Sequence, residues 1–215
     1  MRNAGSMLLV LSITLLLSVG GVSAVTDSGA ITDGGVITSA GRECMTALLV
    51  IDVQNLWIEG GTPTTVDGTF IVDKLVGVLA DAREAGLTIV YTRDLANAAT
   101  ASEEELDFPD AIAPLEDDIV MLKRFSNAFY LTPLHATLEQ LGITRVIVVG
   151  LFTTYCVADT VQGALDLGYD VTVLADAHGD GDNGYRAEQA NKTWAEDGVH
   201  VIESGTFDYT AGCTP

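Results

Sequence analysis

The chain has 215 residues, a formal net charge of −20 at neutral pH, and only three lysines, Lys74, Lys123 and Lys192. Phosphate binding needs a basic stripe, so this balance argues against nucleic acid as a partner. Hydrophobic residues make up 48% of the chain, which suits a packed domain rather than a disordered one.

The N-terminus has the layout of a secretory signal peptide, residues 1–24: Arg2, an apolar run from Met7 to Val19, and the small-residue cleavage site Val22-Ser23-Ala24. The apolar stretch falls short of the roughly 20 residues of a spanning helix. No membrane span is therefore expected after cleavage, and the mature protein is expected to be secreted, periplasmic or extracellular. Residues 25–43 are rich in Gly, Ser, Thr and Asp, with an echo in Gly29-Ala-Ile-Thr32 and Gly35-Val-Ile-Thr38. They cannot bury a core and are expected to form a flexible leader. One domain is expected over 44–215.

Within that domain, strand and helix patterns alternate. Thr46 to Val53 is a buried strand, Phe70 to Ala85 a helix stopped by Gly86, and Leu87 to Thr92 a second strand. Residues 94–118 lack a clear period, hold Pro109 and Pro114, and are expected to form a long loop, a candidate lid. Ile119 to Leu122 is a short strand, Leu131 to Leu141 a helix ended by Gly142, and Val146 to Val149 a fully buried strand. A helix from Val157 follows, then a strand over Asp170–Ala175, a helix over Tyr185–Asp197 and a last strand over Val199–Ile202. The order predicts an α/β fold, a three-layer α/β/α sandwich around a central parallel sheet of about six strands.

Three reactive or charged residues fall at strand ends. Asp52 closes the first strand, Lys123 the third, and Cys156 stands in the first turn of the helix after Val146–Val149. In open α/β sheets ligands bind outside the carboxyl ends of the strands. Helix-terminal N–H groups there are expected to favour thiolate. The plain alternatives are a buried structural cysteine and a structural Asp–Lys pair; the functional one has Asp52 take the thiol proton while Lys123 holds Asp52 ionised and oriented.

Three blocks carry a resemblance. They are Ala47-Leu-Leu-Val-Ile-Asp52-Val-Gln54, Lys123-Arg-Phe-Ser-Asn-Ala-Phe129-Tyr-Leu-Thr132-Pro-Leu134 and Gly150-Leu-Phe-Thr153-Thr-Tyr-Cys156-Val157, with Asp176-Ala177 as a weaker fourth. Together the chain resembles the isochorismatase-like cysteine hydrolase family, which includes nicotinamidases and carbamoyl-amide hydrolases. The resemblance implies an Asp52–Lys123–Cys156 triad and a cis peptide at Leu151–Phe152. It also implies an oxyanion site formed by the N–H groups of Phe152 and Cys156. Metal-dependent nicotinamidases carry an Asp-x-His run where this chain has Asp94-Leu-Ala96, and no His occurs between 95 and 134. No metal or other cofactor is therefore expected. Isochorismatases proper generally lack the nucleophilic Cys, so its presence here points to C–N cleavage.

The expected function is hydrolysis of a small amide, ureide or carbamoyl compound through a thioester. Phe129, Trp57, Arg93 and Tyr155 are candidate pocket residues, although aromatic residues are usually core and Arg93 has acidic neighbours to pair with. A second reading uses a Cys156–His178 dyad, and a third is an inactive secreted binding protein of the same fold. The expected partner is a small-molecule substrate; self-association is left open. Of three cysteines, Cys44 and Cys213 flank the domain, and a disulfide between them would leave Cys156 free.

Overall fold

The structure is a computed structural model, and it describes residues 43–58, 68–180, 184–211 and 213–214. The expected signal peptide and the leader up to residue 42 lie outside the described residues. The elements run β1 (Glu43–Cys44), β2 (Thr46–Ile51), α1 (Asn55–Ile58), α2 (Gly68–Glu84), β3 (Thr88–Asp94) and α3 (Glu103–Leu106). They continue with β4 (Ile119–Lys123), α4 (Leu134–Gln140), β5 (Arg145–Leu151), α5 (Ala158–Asp166), β6 (Asp170–Gly179), α6 (Tyr185–Glu196), β7 (His200–Ile202) and β8 (Cys213–Thr214).

The long apolar runs pair as one six-stranded sheet in the order β4-β3-β2-β5-β6-β7, with every neighbouring pair parallel. Strands covered on both faces read as continuous apolar sequence, which is why β2 is buried at every position. One face packs Leu48, Val50 and Tyr91 against Ile71, Leu75 and Val78 of α2. The other packs Ala47, Leu49 and Val148 against Leu134 and Leu138 of α4, Val161 of α5 and Trp194 of α6. The three-layer sandwich is as expected. The chain winds outward from β2 in one direction and from β5 in the other, so the switch point lies between the ends of β2 and β5.

Several local expectations need correction. The first strand stops at Ile51, because Asp52 turns left-handed with φ 50. The helix expected from Leu131 begins at Leu134 instead; Leu131 has φ 54, and Pro133, lacking an N–H, starts the first turn. Between β5 and α5 the backbone forms a π-helical turn, Thr153–Val157, so Cys156 does not sit in a regular α-helical first turn. β6 runs on to Gly179, four residues beyond the expected Ala175, past an irregularity opposite Val148–Gly150.

Two features were not foreseen. β1 and β8 form a two-stranded antiparallel ribbon in which Cys44 and Cys213 are opposite partners. And Gly150, at φ 116, lies so close to β2 that an added Cβ would stand 2.2 Å from the Ile51 carbonyl oxygen. Only glycine fits there, and that close approach brings the turn carrying Cys156 beside Asp52.

Candidate active site

Asp52, Lys123 and Cys156 meet at the carboxyl edge of the sheet. Lys123 is 2% exposed although it ends an edge strand. Its ammonium has three donors, and all three find partners. Nζ lies 2.6 Å from Asp52 Oδ2, donates to the Phe125 carbonyl at 3.0 Å, and reaches Cys156 Sγ at 3.4 Å. Asp52 is likewise 2% exposed. Its Oδ1 accepts from the Thr92 hydroxyl at 2.7 Å, while its own N–H donates to the same hydroxyl oxygen at 3.1 Å. A non-glycine residue with positive φ at such a place is held by its surroundings, and Thr92 is what holds it.

Burial raises the Asp52 carboxyl to about 6, with Lys123, Thr92 and Cys156 pulling the other way. Burial alone would lower Lys123, but Asp52 and Cys156 outweigh it and hold the ammonium above its usual value. Burial and then the Asp52 charge push the Cys156 thiol up to about 12, against the opposing pull of Lys123. The expectation of a helix-favoured thiolate is thus corrected. Burial and the Asp52 charge both favour the neutral thiol, and the Asp52 carboxylate lies within 4.8 Å of the sulfur, where it can take the proton.

The Leu151–Phe152 peptide is cis, as the resemblance implied. The other candidates fall as follows. Trp57 meets the Phe152 ring edge-on at 5.5 Å, beside that peptide. Phe129 stacks on Tyr169 at 5.6 Å and, like Cys156, borders the α4–α5 core. Arg93 pairs with Asp107 at 2.6 Å and lies over the Phe108 ring, so its plainer reading, pairing with acids, fits the geometry. Tyr155 is exposed.

The structure adds Gln54, Thr92 and Asp94. Gln54 is wholly buried; its Oε1 accepts from Asp94 N at 2.8 Å and its Nε2 donates to Leu106 O at 2.7 Å. With Asn55 N donating to Asp107 O at 2.9 Å, this fastens the middle of loop 94–118 to the end of β2. These bonds anchor Leu106 and Asp107 of the candidate lid to the chain just after β2.

The Cys156–His178 dyad is not formed. His178 lies inside β6, and its ring nitrogens are 2.9 Å from Thr153 Oγ1 and 2.9 Å from Asn191 Oδ1. Burial lowers it to about 4, so it is neutral at physiological pH.

Among the described residues one cluster has metal-ligand atoms: those of Asp52, Asp94 and Cys156 lie within 4.8 Å of one another. The donor set does not fit a resident cation. It has no imidazole, it would consume the thiol, and the Lys123 ammonium already occupies the Asp52 and Cys156 atoms.

A thiol, a carboxylate and an ammonium thus meet beside the switch point of an open parallel sheet, the place where such sheets bind ligands. The isochorismatase-domain family model matches residues 46–206, and the chain belongs to the isochorismatase family. It is 34% identical over 137 residues to a streptothricin hydrolase of Streptomyces noursei, covering 61% of this chain and 49% of that protein. It is 34% identical over 155 residues to a probable inactive nicotinamidase of Arabidopsis thaliana, covering 61% of this chain and 79% of that one. Among solved structures, N-carbamoylsarcosine amidase of Thermoplasma acidophilum superposes with a TM-score of 0.65 at 26% identity, over 76% of this chain and 98% of that one.

Proposed function

We propose that this protein hydrolyses a small amide, ureide or carbamoyl compound through a thioester on Cys156. The observation that carries the reading is the single buried ammonium of Lys123, placed between the Asp52 carboxylate and the Cys156 sulfur. Amide hydrolysis in general accords with the named activities of the streptothricin and carbamoylsarcosine relatives.

In the first half-reaction the sulfur attacks the carbonyl carbon as its proton passes to Asp52. A neutral thiol at rest means that deprotonation accompanies attack. The C–S bond forms, the carbonyl electrons move to oxygen, and the N–H groups of Phe152 and Cys156 receive the oxyanion. The C–N bond then breaks, with Asp52 giving its proton to the leaving nitrogen. In the second half, Asp52 takes a proton from water, hydroxide adds to the acyl carbon, the C–S bond breaks, and Asp52 returns the proton to sulfur, which restores the thiol and releases the acid. Lys123 keeps its charge throughout, and it stabilises both the Asp52 carboxylate and the developing thiolate.

Export and a closed Cys44–Cys213 bridge form part of the same reading, supported by the N-terminal layout and the pairing of those two positions. The test is a panel: ammonia release from nicotinamide, carbamoylated amino acids and ureides. At least one class should be turned over, with loss in Cys156→Ala. A folded protein inert toward all three would favour the binding-protein alternative.

A further inference from the structure

The stretch of β6 beyond Ala175 runs directly beside the nucleophile's turn: His178 and Gly179 are in register with Gly150 and Leu151. His178 is 2% exposed, and Trp194 of α6 packs edge-on against its ring at 5.3 Å. Donor and acceptor accounting fixes its tautomer. The Asn191 amide donates through Nδ2 to the Ala175 carbonyl at 2.9 Å. Its Oδ1, 2.9 Å from His178 Nε2, can only accept. Flipping the amide would set two acceptors against each other at Ala175. Nε2 therefore carries the proton, and Nδ1 of a neutral ring is an acceptor. The group 2.9 Å from Nδ1 is the Thr153 hydroxyl, which must donate. Thr153 opens the π-helical turn Thr153–Val157, and it is itself wholly buried. The next residue is tied to the chain just past that strand, since Thr154 N donates to Asp180 Oδ2 at 3.3 Å.

We propose that His178 is a positioning residue for the nucleophile. Its neutral, Nε2-protonated ring accepts the Thr153 hydroxyl and links the turn bearing Cys156 to α6 through Asn191. The histidine touches no reacting atom. It fixes where the sulfur and the Phe152 N–H point, and it rests on the reading of Cys156 as nucleophile. Misplacement of about 1 Å in such a site can cost on the order of 100-fold in rate.

Two replacements separate its two bonds. The Oδ1 of an asparagine falls near the Nδ1 position and can still accept from Thr153. The Nε2 of a glutamine falls near the ring Nε2 and can still donate to Asn191, but leaves Thr153 without its acceptor. The readouts are the iodoacetamide alkylation rate of Cys156, located by peptide mass spectrometry, the kcat and KM for a panel substrate, and the thermal unfolding midpoint. Expected for His178→Asn is alkylation and kcat within about threefold of the parent; for His178→Gln, a loss of about tenfold or more in both with KM little changed. Thr153→Val should reproduce the His178→Gln loss without touching the histidine, Thr153→Ser should not, and His178→Gln with Thr153→Val should be no worse than either alone. If His178→Gln fails to fold, the Thr153 pair decides by itself. Equal rates for His178→Asn and His178→Gln, rates that track the unfolding midpoint, or an unslowed Thr153→Val would each overturn the proposal. Alkylation needs no substrate, so a protein inert toward every panel amide would sink the functional reading while leaving this test decisive.

Discussion

Lys123 Nζ lies 2.6 Å from Asp52 Oδ2, with 0% and 3% of the two side chains exposed. A pair so far from water holds together because each ion is the other's compensation and because Thr92 and the Phe125 carbonyl complete the shells. Removing the lysine leaves a buried carboxyl without the charge that keeps it ionised. Lys123→Met should therefore cost about 3–5 kcal/mol of stability by urea unfolding. It should also abolish turnover, since Asp52 would be protonated. A stable, active Lys123→Met protein would show that the pair is dispensable.

The shifted carboxyl and imidazole give opposite pH dependences of stability. The Asp52 pKa is raised in the folded state to about 6. Its contribution is full below the ordinary carboxylate value and is lost as pH rises through 6. The His178 pKa is lowered to about 4. Its neutral form is favoured by folding, so stability is lost as pH falls from the usual 6.5 toward 4. The two oppose each other between pH 4 and 6. Asp52→Asn removes only the first, and its stability should rise more steeply with pH over that window than the parent's. Urea unfolding at pH 4.5 and 6 checks the sign. Turnover should also have an acid limb, because Asp52 must be ionised to take the thiol proton.

How the site could be read in the sequence, and where it could not, has physical causes. Asp52 and Lys123 interrupt apolar strands, and a charge at the end of a buried run stands out. Gln54 and Thr92 sit at the same edge, but uncharged polar residues at strand ends carry no such signal. The sequence places His178 after the strand because Gly179-Asp-Gly-Asp reads as a turn, while β6 is drawn onward by pairing with Gly150 and Leu151. The position of the thiol suggests a helix terminus and a lowered pKa, whereas burial and the Asp52 charge push it up. The β1–β8 ribbon is two residues a side and has no period to detect.

Cys44 and Cys213 are opposite partners in an antiparallel pair. Directly opposed residues have Cα atoms about 4.5–5.5 Å apart, within the range a disulfide spans. Thiol titration of the protein produced in an oxidising compartment, unfolded and unreduced, should count one thiol. A count of three would mean the bridge is not made. Reduction should lower stability by up to about 4–5 kcal/mol in the chain-entropy model.

Exhaustive chelation should leave turnover unchanged, because the atoms of Asp52 and Cys156 that a cation would need are taken up by Lys123. Loss of activity with EDTA, restored by zinc or manganese, would mean that Asp94 and Cys156 hold a metal after all.

The most direct test of the thioester is intact-protein and peptide mass spectrometry after rapid acid quench with the first panel compound that releases ammonia. An acyl adduct is expected on the peptide carrying Cys156, formed and lost at rates that match turnover. Cys156→Ala is expected to be well folded and slowed by about 1,000-fold or more. Ammonia release by folded Cys156→Ala at a rate near the parent's, with no adduct on Cys156, would contradict it.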